Sequence, residues 1–125
     1  MPTSAGYLDF IKEQLSDFGP VTVRRMFSGA GIFQDGLMFA LIANETLYLK
    51  ADSVSQGEFQ ALNLSPFTYA AKGGKKVVMA YWRAPEACLD ERDEMTLWAR
   101  KAFAAALRAR KPAKSPKRRK GPRKP

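Results

Sequence analysis

The run Ile32-Phe33-Gln34-Asp35-Gly36-Leu37-Met38-Phe39-Ala40-Leu41-Ile42-Ala43-Asn44-Glu45-Thr46-Leu47-Tyr48-Leu49-Lys50 decides the fold class. Asp35-Gly36 stands between two apolar segments, and a type I′ hairpin turn demands positive φ at both central residues, which this dipeptide tolerates. Asn44-Glu45 makes a second reversal into Thr46–Lys50. Upstream, Val21–Met26 is β-branched at its start and leads into Phe27–Phe33. The region predicts a three-stranded antiparallel meander.

Helical spacing flanks it. Leu8, Ile11, Leu15 and Phe18 recur at helical intervals over residues 7–18, Asp9, Glu13 and Asp17 take the solvated face, and Gly19-Pro20 ends the element. Residues 52–62 predict a short helix capped by Asp52 or Ser53, with Phe59 and Leu62 inward. Lys72-Gly73-Gly74-Lys75 reads as the turn of a second hairpin, between Pro66–Ala70 and Lys76–Trp82. Pro85 opens a short helical turn ending near Leu89. A last helix starts at Asp90 or Asp93, where acidic residues complement the positive end of its dipole. Met95, Trp98, Ala99, Ala102, Ala105 and Ala106 share its inner face. The order α-β(3)-α-β(2)-α describes an α+β fold, a two-layer α/β sandwich with an antiparallel sheet.

The chain has 125 residues, with 21 Lys or Arg, 12 Asp or Glu, no His and one Cys. That length suits one core. No apolar run is long enough to span a membrane, and Met1–Gly6 lacks the basic and apolar regions of a signal peptide, so cytoplasmic residence is expected. One cysteine forms no intramolecular disulfide, and without histidine neither a Ser-His-Asp or Cys-His nucleophile system nor a His-containing zinc site exists. Charge is unevenly distributed. Lys111, Lys114, Lys117, Arg118, Arg119, Lys120, Arg123 and Lys124 all lie in residues 111–125, which hold no acid, leaving 21 − 8 = 13 basic against 12 acidic residues in 1–110. The expectation is a folded domain at 1–110 and a disordered, Pro-rich basic tail at 111–125, whose cations would displace counterions from DNA or RNA without reading sequence.

Within 1–110 no constellation predicts a cofactor, metal or catalytic site. Gly29-Ala30-Gly31 lacks the third glycine and the following helix of a dinucleotide fingerprint; a β-bulge or close backbone packing explains it better. Arg24-Arg25 must point to opposite faces of a strand, one a surface charge and the other packing its aliphatic stem, with contact to a phosphate or an acidic partner as the functional alternative. Tyr69, Tyr81 and Trp82 interleave with Lys72, Lys75, Lys76 and Arg83 as in single-strand binders. Core and edge packing is the preferred reading there, with one of Tyr81 and Trp82 exposed. Cys88 reads as an inert, partly buried thiol.

Arg24-Arg25-Met26-Phe27-Ser28-Gly29-Ala30-Gly31-Ile32-Phe33, Gly36-Leu37-Met38-Phe39-Ala40, Leu47-Tyr48-Leu49-Lys50-Ala51-Asp52, Pro66-Phe67-Thr68-Tyr69, Tyr81-Trp82-Arg83-Ala84-Pro85 and Trp98-Ala99 follow one another along the chain. In that order they resemble the N-terminal domain of the TfoX/Sxy competence-regulator family, over roughly residues 7–108. Its motif falls on Arg24, Arg25, Met26, Phe27, Gly29, Gly31, Tyr81, Pro85 and Trp98, while Ser28 stands where the family commonly has a second glycine. The resemblance implies a fold like that of secretion chaperones and a link to bacterial natural competence, in which the regulator acts with the cyclic-AMP receptor protein at promoters. It brings no catalytic residues. The longer regulators carry a second, helical domain where this chain has the basic tail.

The expected function is that of a non-enzymatic, transcription-linked accessory factor. Its candidate partners are a transcription-machinery or receptor protein, nonspecific DNA or RNA through the tail, and a second copy of the chain; no cofactor and no membrane contact are expected. The alternative is a stand-alone protein–protein interaction module with no direct DNA role.

Overall fold

The computed structural model describes residues 4–26, 29–70 and 76–110. Asp35 and Gly36 take φ values of 51° and 79°, joining β2 (Gly29–Gln34) to β3 (Leu37–Ala43) by the left-handed turn that the dipeptide favours. Asn44 and Glu45, at 52° and 57°, turn the chain into β4 (Thr46–Lys50). Glutamate is uncommon in this region of φ. Its carboxylate accepts from the Ser4 amide at 2.9 Å and the Ser4 hydroxyl at 3.2 Å. Ser4 in turn caps α1 (Ala5–Gln14) by accepting from the Tyr7 amide, so one carboxylate ties the turn to the first helix.

The meander has four strands, not the expected three. β1 (Thr22–Met26) pairs antiparallel with β2, from Thr22 opposite Phe33 to Met26 opposite Gly29. β1 and β2 are therefore neighbouring antiparallel strands; residues 27–28 between them lie outside those described, and their sequence is neither Asn-Gly nor Asp-Gly. Gly29 is required on its other side, where a Cβ would overlap the Ile42 carbonyl oxygen. The expectation of close backbone packing at this glycine therefore holds. The β2–β3 register shifts between Ile32 and Phe33, leaving Phe39 as the extra residue of a bulge and buried in the core.

β5 (Pro66–Ala70) and β6 (Lys76–Arg83) complete a six-stranded sheet of order β1-β2-β3-β4-β6-β5. Every pairing is antiparallel. Because β6 enters between β4 and β5, these two run in the same direction, and α2 (Gln56–Ala61) lies on their connection. The expected Lys72–Lys75 turn lies outside the described residues.

The helices form the second layer, as expected for the α+β sandwich. α1 is shorter than residues 7–18, with turns continuing to Phe18. Its buried Gln14 donates to the carbonyls of Cys88 at 3.0 Å and Leu89 at 3.4 Å in α3 (Ala87–Asp90). α2 starts at Gln56 because Asp52 is occupied with the turn before it, its Oδ1 accepting from the amides of Val54 and Ser55. Phe59 is fully buried, but Leu62 is 51% exposed: the helix has ended by then, and the chain turns outward at Asn63 with φ of 61°. α4 (Arg92–Arg110) buries Met95, Trp98, Ala99, Ala102, Ala105 and Ala106, the face expected from its spacing. Its alanines allow close approach to β3 and β4. Val23, Ile32, Ala40, Leu49 and Trp82 stand opposite one another across β1, β2, β3, β4 and β6, and all pack into the core with the helices. Phe59 joins the layers, its ring centroid 6.1 Å from Trp82 and 5.1 Å from Trp98.

Candidate interaction surface

Directly paired strand residues project to the same side of a sheet. One residue along each strand from the core row, Arg24, Gly31, Leu41, Tyr48 and Arg83 form a second row, facing away from the helices. Lys50 opposes Tyr81 two positions further on. Leu41 and Tyr81 are buried, yet neither belongs to the cluster beneath the helices. This face has packing of its own. The Arg24 guanidinium lies 5.6 Å from the Phe33 ring centroid, the Lys50 ammonium 4.9 Å from that of Tyr81, and Tyr48 meets Phe67 edge-on at 5.0 Å. The Tyr81 hydroxyl donates to the Met38 carbonyl at 3.4 Å, and burial pushes its pKa up, keeping it neutral. Tyr81 and Trp82 do point to opposite faces, but the expectation that one is exposed fails, because each face supplies cover: Lys50 over Tyr81, Phe59 against Trp82.

Charge divides along the same line. All twelve carboxylate side chains lie on helices, turns and loops, and the six strands contain none. Ion pairs form among the helices and their loops: Arg108 grips Asp52 with two hydrogen bonds of 2.6 and 3.0 Å, and Lys101 reaches Glu58 at 2.9 Å. The Arg108 bonds, aided by the Ser55 and Val54 amides, hold the Asp52 carboxyl down to about 2 against the opposing effect of burial. Arg24 and Arg83 stay exposed and Lys50 half-buried, with no carboxylate partner among the described residues.

The TfoX N-terminal domain family matches residues 13–106, three quarters of the chain. The chain belongs to that family. No curated protein matches it.

In this TfoX-family domain, the motif residues spread over the fold instead of converging on a pocket. Arg24 and Arg25 take opposite faces of β1, as alternation requires, with Arg25 opposite Ala30. Met26 closes the β1 ladder and Gly31 pairs with both Arg24 and Leu41. Pro85 and Trp98 are buried, Trp98 in the core. Phe27, the side chain of Tyr69, residues 72–75 and all eight tail cations lie outside the described residues. Cys88 is fully buried, and its thiol is pushed up to about 12, first by desolvation and then by Glu94, leaving almost no thiolate at neutral pH. A shallow depression lined by Asp17, Asp93, Thr96, Leu97 and Arg100 is open to solvent. Among the described residues no group of three or more His, Cys, Asp or Glu is placed to hold a metal ion, and no helix is long and apolar enough to cross a membrane.

Of the aromatics and cations grouped from the sequence, Tyr81 and Arg83 share this face and Trp82 turns to the helices, while the side chains of Tyr69, Lys72, Lys75 and Lys76 lie outside the described residues; Phe33, Tyr48, Phe67 and Lys50 were not singled out. The available sign was the alternation Tyr48-Leu49-Lys50 together with strands free of acidic residues.

Proposed function

We propose that this TfoX-family chain is a non-enzymatic, cytoplasmic regulatory factor linked to transcription. Its body, residues 1–110, contacts a protein of the transcription machinery or a receptor protein, while the basic residues 111–125 make nonspecific contact with DNA or RNA. Membership of a competence-regulator-like family carries this reading. The charge partition supports the division of labour, with 13 basic and 12 acidic residues in the body against eight basic and none acidic in the tail.

Two measurements test it. Duplex DNA is titrated with the full chain and with a full-length variant whose eight tail cations are replaced by Gln. The variant should bind more weakly, with a salt slope shallower by up to about 7, at roughly 0.9 per phosphate contact. Equal, salt-insensitive binding by both proteins refutes the tail's role. Affinity capture from the source cells, with and without nuclease, tests the body. Nuclease-resistant recovery of RNA polymerase or a receptor protein supports it, and loss of every protein partner on nuclease treatment counts against it.

A further inference from the structure

We propose that the sheet face opposite the helices binds single-stranded nucleic acid, with bases against its aromatic strip and phosphates held by Arg24, Lys50 and Arg83. This goes beyond the tail's nonspecific contact by assigning a second surface, selective for single strands, to the folded body. Three observations converge on it. The three cations of the face form no ion pair among the described residues: Arg24 and Lys50 lie over rings, Arg83 is exposed, and the strands carry no acid. Half-buried Phe33, Tyr48 and Phe67 lie among those cations, with Tyr48 in register between Leu41 and Arg83. Arg24 and Arg83 end a row crossing four interstrand steps, about 19 Å at the usual strand spacing, which gives an extended strand several points of contact.

An antiparallel sheet presenting aromatic rings and guanidinium planes is a recurrent platform for unstacked bases, since every base has a face to stack and every nucleotide a phosphate to pair. A duplex hides those base faces and would engage only the charges. The chain's own tail is a poor occupant of this surface: it holds eight cations and no acidic side chain, so the two repel. Charge complementarity therefore selects a polyanion, and the rings select one with exposed bases.

The test uses the full-length protein and fluorescence anisotropy with labelled oligo(dT) and with a duplex of equal length. Three variants are compared: Arg24→Gln/Lys50→Gln/Arg83→Gln, Tyr48→Ala and Tyr48→Phe. The triple variant should show a single-strand salt slope shallower by about 2, at roughly 0.7 per phosphate contact. Tyr48→Ala should weaken oligo(dT) binding by about tenfold, the scale of one lost base stack, while Tyr48→Phe retains it. Duplex binding should change little in the two Tyr48 variants, and in the triple variant should fall less than single-strand binding. Melting temperatures and circular dichroism establish that each variant is folded, and the Tyr48→Phe comparison carries the test if the triple variant does not fold. The proposal is overturned if the folded triple and Tyr48→Ala variants bind oligo(dT) like the parent, or if they lose single strand and duplex equally. It is also overturned if polyglutamate displaces oligo(dT) as effectively as unlabelled oligo(dT), which would make the face a docking site for acidic protein. Replacing the tail cations by Gln separates the two surfaces: single-strand preference persisting in that variant supports the sheet face, whereas its complete loss assigns all binding to the tail and overturns the proposal.

Discussion

Two adjacent rows of the same five strands have opposite chemistry. Val23, Ile32, Ala40, Leu49 and Trp82 meet the helices and are covered by Phe59, Trp98 and the alanines of α4. One residue away, Arg24, Gly31, Leu41, Tyr48 and Arg83 form a row on the opposite face, where the Arg24 guanidinium rests on the Phe33 ring and Arg83 stays exposed. The strand period of two sorts neighbouring residues into separate layers, so a single strand such as Thr46–Lys50 contributes Leu47 and Leu49 to stability and Tyr48 and Lys50 to an available surface. The lesson is that overall neutrality hides a charged face. A body with almost no net charge keeps its carboxylates on helices and turns and leaves one side of its sheet cationic.

Substitutions on the two faces should separate accordingly. The largest effect is expected at Phe39, fully buried at the bulge beside Phe18 and Phe103: Phe39→Ala should cost about 3–5 kcal/mol in chemical denaturation. Ala102→Leu should cost about 1–3 kcal/mol, because α4 reaches the sheet through residues with no volume to spare. Gln14→Ala leaves the Cys88 carbonyl without its buried donor, and a loss of about 1–2 kcal/mol is expected. By contrast, Arg24→Gln and Arg83→Gln should each change stability by no more than about 0.5 kcal/mol. A loss there comparable to Phe39→Ala would show that the cationic face is structural after all.

The smallest effect is present near neutrality and lost in acid. Asp52 titrates near 2 in the folded chain and near 3.9 when unfolded, so its pair with Arg108 contributes stability above about pH 4 that disappears as pH falls through 2. Asp52→Asn should therefore melt slightly below the parent at pH 6 and converge with it near pH 2. Parallel melting curves for the two proteins across that range would contradict the assignment.

Local physics was readable where one turn or one helical face carries it. The Asp35-Gly36 turn, the buried face of α4 and the inward Phe59 all follow from residue type and spacing, and all hold in the structure. The β1–β2 pairing was missed because the residues between the strands are not an Asn-Gly or Asp-Gly dipeptide, and Leu62 was misplaced because the period assumed a helix longer than the chain forms. Gln14 gave no sign of burial, since its partners are carbonyls 74 and 75 residues away.

Composition and alternation alone settled several properties: no histidine chemistry, an excess of charge confined to residues 111–125, and strands whose successive side chains must part company. The row from Arg24 to Arg83 required the folded sheet. It depends on β6 inserting between β4 and β5, and on registers joining strands as distant as Tyr48 and Arg83. Such registers are selected by which faces can be buried together against the helices, a property of the whole core that no short window of sequence contains.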